Sequence, residues 1–287
     1  MTTGKIDLHL HSNKSDGRLS PTELVTLAHK GGIMRMALTD HDTTEGVAEA
    51  IDVGRGLGID VIPGVELGTD SRSGDMHMLG LFLNYHDTTF QETMARFREG
   101  RVARVYTIVS NLAEVGVNIS TERVFEIAGE ASVGRPHVAQ ALLEAGYIKA
   151  MPEAFEKWLA YGGPGDVPRD KLSPEDAIAL IHAVGGLAVV AHPYEGKNIL
   201  AQLPSLAAAG LDGVETYYSG YGPDRIEELL GLCSKLGILP SGGSDFHGFP
   251  HRMASADQPI MHYPGSIDIP PGVLDALEAR RLAQSRP

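Results

Sequence analysis

Residues 5–12 read Lys-Ile-Asp-Leu-His-Leu-His-Ser, and this stretch restricts the fold more than any other. Alternate residues of a β-strand share a face. His9 and His11 therefore project together, with Leu8 and Leu10 on the opposite side. Two imidazoles side by side near a strand end are half of a metal site. The other half must come from distant parts of the chain, and the fold must carry it to the same place.

The rest of the chain repeats a pattern that can do this. The predicted strand 34–39 runs into Asp40-His41-Asp42-Thr43, and strand 60–66 ends in Glu66. Strand 76–82 opens with His77, and strand 186–191 leads to His192-Pro193. Gly213-Val214-Glu215 ends in an acid, and Leu239-Pro240-Ser241 leads to Gly242-Gly243-Ser244-Asp245-Phe246-His247. Helix starts fall between them. Ser20-Pro21-Thr22-Glu23 and Ser173-Pro174-Glu175-Asp176 each place a capping Ser before a first-turn Pro and an acid. Helices are also predicted over 44–57, 224–236 and 273–283. Strand, polar end and helix in alternation predict parallel β/α units. In a barrel of such units the C-terminal strand ends share one face.

The rhythm breaks between residues 95 and 170. Apolar residues there recur at three and four spacing, Pro136 opens one helix, and Gly162-Gly163-Pro164-Gly165 marks a loop. This predicts a helical insertion (95–170) between barrel segments 1–94 and 171–287. Arg96, Arg98, Arg101 and Arg104 lie on one of its helices, as a solvated face or a binding patch.

Bulk properties narrow the function. A formal charge of −13 disfavours long nucleic acid, duplexes included, unless a local cationic centre offsets it. The single cysteine, Cys233, excludes an internal disulfide and a Cys-rich zinc site. No signal-like segment or long apolar run is present, so a cytoplasmic location with no membrane contact is expected.

Nine residues at or near predicted strand ends carry the chemistry: His9, His11, Asp16, His41, Glu66, His77, His192, Asp245 and His247. Nine N and O ligands exceed what one open metal site needs. They suit two or three ions with a bridging carboxylate. Water on such ions ionises near neutral pH, and the ions neutralise phosphate oxygens, so the set points to metal-assisted phosphoester hydrolysis. His29, His86, His182, His251 and His262 have no such company and are expected to be structural. Asp7 and Glu215 are candidates for supporting a ligand from behind or for purely structural roles. Asp40 and Asp42 are candidate caps for the next helix.

As a set, Asp-Leu-His-Leu-His-Ser, Leu-Thr-Asp-His-Asp, Pro-Gly-Val-Glu, Ala-His-Pro and Gly-Ser-Asp-Phe-His-Gly resemble the motifs of the PHP (polymerase and histidinol phosphatase) phosphoesterases. The resemblance implies an α/β fold, a distorted TIM-like (β/α)7 barrel with a helical insertion, and three divalent ions. One ion would take His9, His11, Glu66 and Asp245. A second would take Glu66, His77 and His192, and a third Asp16, His41 and His247. Manganese is the ion the resemblance favours, with zinc, iron and magnesium open. Gly-Arg-Pro-His-Val-Ala and Leu-Ser-Pro-Glu-Asp-Ala-Ile resemble the branch of 3′,5′-nucleotide bisphosphate phosphatases and 5′-to-3′ exoribonucleases. That implies a metal-bridging hydroxide as nucleophile, a nucleotide or short RNA substrate, phosphate as product, and substrate contacts from Arg135, His137 and Thr43. Asp166 departs from the branch, standing in the Tyr161–Pro168 loop where an aromatic is expected. Histidinol-phosphate or nucleoside monophosphate phosphatase activity is the alternative, and a non-catalytic metal-stabilised binding module the alternative of another class.

Overall fold

The computed structural model describes residues 4–71, 74–160, 162–168, 171–195, 198–248 and 263–284. Tyr161, His251 and His262 lie outside these residues. Seven strands form one sheet in sequence order: β1 (Lys5–Asp7), β2 (Ile33–Leu38), β3 (Asp60–Ser71), β4 (Gly74–Leu81), β5 (Leu187–Val190), β6 (Gly213–Tyr218) and β7 (Leu239–Gly243). The edge strands β1 and β7 do not pair as strands. Just beyond them, Leu8 N–H donates to Gly242 O (3.1 Å), Asp245 N–H to His9 O (2.8 Å) and His11 N–H to Phe246 O (3.0 Å). These bonds span the gap and draw the His9–His11 segment against the Asp245–His247 segment. The result is a distorted barrel, as the resemblance implies, whose sheet is not closed by strand pairing between β1 and β7.

One expectation needs correcting. The strands are not all parallel: β4 runs antiparallel to both β3 and β5. β3 does not stop at Glu66 but continues to Ser71 and returns as β4, with Gly68 opposite His77. The reversal explains why His77, at the start of its strand, meets residues from the ends of others. It also means that no helix separates β3 from β4.

Helices form where the caps stand. Ser20 accepts the Glu23 N–H and Glu23 accepts the Ser20 N–H, a complete capping box opening α1 (Pro21–Lys30). α2 spans Val47–Leu57. Asp40 and Asp42 do not cap it, since its N-cap is Gly46 with no side-chain bond; their partners lie elsewhere, as described below. Between β4 and β5 come α3 (Thr88–Glu114), α4 (Thr121–Ala128), α5 (Arg135–Glu144), α6 (Met151–Lys157) and α7 (Pro174–Ala183). α8 (Ile199–Ala208), α9 (Pro223–Leu236) and α10 (Pro271–Gln284) complete the chain. Residues from Val105 to Val167 bury their own apolar core, including Ile108, Leu112, Val124, Val138 and Leu142. The first half of α3 belongs to the main body instead: Phe90, Met94 and Phe97 pack with Val65, Met78 and Ile181. No helix of the described residues is long and apolar enough to cross a membrane.

Candidate metal centre

The nine strand-end residues come together. His9 Nε2 lies 3.1 Å from His11 Nε2, 3.3 Å from Glu66 Oε2 and 3.2 Å from Asp245 Oδ1. His11 Nε2 is 3.1 Å from both acids. Donors bound to one ion at about 2.1 Å stand roughly 3.0–3.5 Å from one another, so this spacing is that of a coordination sphere. On the other oxygen of Glu66, Oε1 is 2.8 Å from His77 Nδ1 and 3.1 Å from His192 Nε2. His41 Nδ1 sits 3.1 Å from Glu66 Oε2. Asp16 faces His247 Nε2 (3.2 Å), His41 Nε2 (3.8 Å) and His11 Nδ1 (3.9 Å). Three overlapping donor groups follow: His9, His11, Glu66 and Asp245; His11, Asp16, His41 and His247; and His41, Glu66 and His77.

Several of these atoms are buried with no hydrogen-bond partner: His11 Nδ1, Asp16 Oδ1, His41 Nδ1, Glu66 Oε2 and His192 Nδ1. Folded proteins rarely leave buried polar atoms unpaired, and a bound ion satisfies N and O donors together. The residues present thus fit divalent metal. Burial opposes charge on Asp16 and Glu66. Even so, the neighbouring imidazoles of His247 and His41 hold the Asp16 carboxyl well below its usual range, and His41, His77 and His9 do the same for Glu66. In return, burial pulls His192 and His247 down but the carboxylates outweigh it, lifting them to about 9 and about 10. For His41 burial wins, and its pKa falls to about 3. A divalent cation meets the same carboxylates without taking a proton.

The backbone is bent to make this possible. His192 (φ 27°) and Asp245 (φ 53°) both occupy the left-handed region that non-glycine residues avoid, a strain that surrounding structure must hold. Gly243 lets β7 pass close to β1, because a Cβ there would lie 2.3 Å from His9 Cβ. Supporting acids then fix the ligands. Glu215 Oε1 meets His9 Nδ1 at 3.0 Å, while Oε2 accepts the His192 N–H at 2.7 Å. Asp40 accepts the Ser12 N–H and the hydroxyls of Ser12 and Ser15, which shapes the loop carrying Asp16. Asp7 bonds the backbone N–H of Ser244 and Gly265 rather than a ligand ring, and burial lifts its pKa to about 6.

Two supporting residues escape a reading of the sequence. Tyr218 donates its hydroxyl to Asp245 Oδ2 (2.9 Å). Strand alternation from Glu215 points to Tyr217, but β6 is bulged between Glu215 and Tyr217, so Tyr218 turns inward instead. Asp42, with its own φ of 51°, receives the Arg101 guanidinium at 2.7 Å, linking α3 to the loop after β2.

Arg135 and His137 open α5. Arg135 Nη2 is 3.3 Å from Asp75 on β4, which also pairs with Lys171. His137 Nδ1 accepts the Gly134 N–H at 3.0 Å. Burial and the nearby Arg101 lower its pKa against the pull of Asp16, so the ring is neutral with its proton on Nε2. Thr43 is buried, and its Oγ1 accepts the Glu45 N–H. Arg96, Arg98, Arg101 and Arg104 are engaged separately, with Phe97, Glu45, Asp42 and the Val167 carbonyl. Asp166 closes its own loop by accepting the Gly162 N–H at 2.8 Å. His182 pairs with Asp212 at 2.8 Å, a structural contact away from the cluster.

Residues 7–164 match the profile of the PHP domain. The chain is 33% identical to a 3′,5′-nucleoside bisphosphate phosphatase of Chromobacterium violaceum, over 84% of its own length and 87% of that protein. It is also 33% identical to a 5′-3′ exoribonuclease of Haemophilus influenzae, over 86% and 91% respectively. A solved amidohydrolase structure from Chromobacterium violaceum, with bound sulfate and no metal, superposes with a TM-score of 0.85 at 31% identity, covering 96% of each chain. Fold, site and relatives define a metal-dependent hydrolase. The chain belongs to the PHP domain family.

Proposed function

We propose that the chain hydrolyses phosphate esters of nucleotides, with a nucleoside 3′,5′-bisphosphate or the 5′ end of a short RNA as substrate and phosphate as a product. Three divalent ions would be held, by His9, His11, Glu66 and Asp245; by Glu66, His77 and His192; and by Asp16, His41 and His247. Manganese is the ion the family resemblance favours, with zinc, iron and magnesium open for an N/O set, and a cytoplasmic setting goes with the reading. The observation that carries it is Glu66, whose two oxygens each face imidazoles from different strands, as a bridging carboxylate requires. Bound divalent ions supply Lewis acidity and bring the pKa of water towards neutrality.

The protein's own groups do the rest. Arg135 offers a planar guanidinium suited to two phosphate oxygens, for which the substrate competes with Asp75. His137 Nε2–H donates to developing negative charge. Residues 95–170 serve as a substrate cap between the barrel segments 1–94 and 171–287, a role supported by the separate apolar core that runs from Val105 to Val167. The names of the two relatives at 33% identity support the substrate class. The test is phosphate release from adenosine 3′,5′-bisphosphate with added manganese. Glu66→Gln is expected to lower kcat/KM by at least about 100-fold and to lower the bound metal. No release from bisphosphates, short RNA or simple monoesters would end the proposal.

A further inference from the structure

Two residues of the donor set sit in backbone that non-glycine side chains avoid, His192 (φ 27°) and Asp245 (φ 53°). Strain of this kind persists only where the surroundings hold it. The imidazole of His192 is held on one side alone. Its Nε2 faces Glu66 Oε1 at 3.1 Å, while Nδ1 is buried with no hydrogen-bond partner. For Nε2 to offer a lone pair to an ion, the ring proton must stand on Nδ1, and a buried N–H needs an acceptor.

Glu195, in the loop after β5, stands where that acceptor is needed. Its Oε2 lies 3.6 Å from His192 Nδ1, a little beyond hydrogen-bond reach. Its Oε1 lies 3.2 Å from the Tyr218 hydroxyl, which also faces Asp245 Oδ2 at 2.9 Å. A phenol has one proton, so the two carboxylates compete for it and the hydroxyl is held between them. The Tyr218 ring closes the group, its centre 5.8 Å from that of His192. One side chain thus reaches both strained residues, His192 directly and Asp245 through Tyr218.

These contacts set Glu195 apart from an ordinary surface acid. Its side chain is 41% exposed, yet both oxygens turn towards the centre. Among the described residues its ion-pair partner is His192, and no lysine or arginine. The backbone beneath it is anchored. Glu195 N–H donates to His192 O at 2.9 Å, and Tyr194 N–H donates to the Tyr221 hydroxyl at 3.2 Å. The Tyr194 hydroxyl donates to Glu228, and the Arg225 guanidinium lies 4.8 Å over the Tyr194 ring. A carboxylate on fixed backbone needs only a small side-chain rotation to close the 3.6 Å gap.

We propose that Glu195 is a positioning residue of the metal centre: it accepts a hydrogen bond from His192 Nδ1–H, which turns Nε2 inward, and through Tyr218 it steadies Asp245. The inference rests on the metal-centre reading and adds to it a residue from outside the donor set. Carboxylates behind ligating imidazoles set the tautomer and raise the basicity of the ring, and losing one weakens metal binding about 10- to 100-fold. Glu215 takes this place for His9 from the interior, and Glu195 takes it for His192 from the solvent side.

The test uses the full chain, chelated and then titrated with manganese against a chromogenic chelator. Glu195→Ala should weaken manganese binding at least tenfold. Glu195→Gln keeps an acceptor and lacks the charge, and should recover part of the loss. Tyr218→Phe should weaken binding less in a Glu195→Ala background than in wild type, because the span is already broken; additive losses overturn the link through Tyr218. Nitrogen-15 NMR of the zinc-loaded chain reads the imidazole itself: the His192 Nδ1 proton should exchange with water at least tenfold faster in Glu195→Ala. A purely structural Glu195 would lower the melting temperature of the chelated chain and leave both readings unmoved. Manganese affinity within twofold of wild type, with unchanged exchange, overturns the inference and leaves the metal centre standing. A wild-type chain that binds no manganese or zinc overturns both.

Discussion

Glu215 and His9 stand 206 residues apart in the chain and 3.0 Å apart in the fold, carboxylate oxygen to Nδ1, with both side chains fully buried. This contact fixes the imidazole so that Nε2 faces Glu66 and Asp245. Carboxylates behind metal-ligating histidines raise their basicity and set their tautomer. Glu215→Gln keeps the shape and removes the charge. Metal affinity is expected to fall about 10- to 100-fold, measured by competition with a chromogenic chelator. Affinity within twofold of wild type would show that the pair serves the fold alone.

Metal removal should be visible in stability. Asp16, Glu66 and Asp245 crowd their charges together, the last two in a buried place and Asp16 half-buried beside them. Ions that bind only the folded state stabilise it by mass action, about 2.7 kcal/mol at 100 times Kd. For a chain of this size that corresponds to roughly 5–10 °C in Tm. Manganese added to chelated protein should raise the melting temperature by that amount in calorimetry, and magnesium by less. A Tm indifferent to metal contradicts the assignment of the centre.

Arg101 and Asp42 form a short, largely buried pair between α3 and the loop after β2. Removing one partner leaves a charge in a dry place, which costs about 3–5 kcal/mol. Arg101→Met is expected to lose that much in urea denaturation, and to expose the cap to limited proteolysis. Adding Asp42→Asn should recover part of the loss. A double variant no more stable than the single one would disprove the coupling.

Cys233 is buried, and burial pushes its thiol above the usual range, with a weak contact to Thr216 opposing. A raised thiol pKa means less thiolate, the reactive form, at any given pH. At pH 8 a thiol reagent should modify the native chain slowly, and at least tenfold faster once it is denatured. Fast modification of the native protein would contradict this burial.

The strand ends were legible because each carries its ligand where an apolar run stops: His41 after Leu38, His192 after Val190, and Asp245 and His247 after Gly243. Local rules also sufficed for α1 and α7, whose Ser caps act within three residues. What stayed hidden depends on distant partners. β4 turns back because β3 runs on past Glu66 to Ser71, and β5, more than a hundred residues later, continues the antiparallel pairing. Tyr218 reaches Asp245 only because a bulge breaks the alternation of β6. Asp40 looks like a helix cap from its neighbours, yet its acceptors are taken by Ser12 and Ser15, which the barrel folds back onto it.

α3 anchors Phe90, Met94 and Phe97 in the barrel's core and Val105, Ile108 and Leu112 in the cap's. Its 27 residues make a rod about 40 Å long. A cap mounted on such a beam has no hinge of loose chain at this joint. Any tilt of the cap against the barrel would carry the whole helix with it, and each degree at the barrel end is magnified at its far tip.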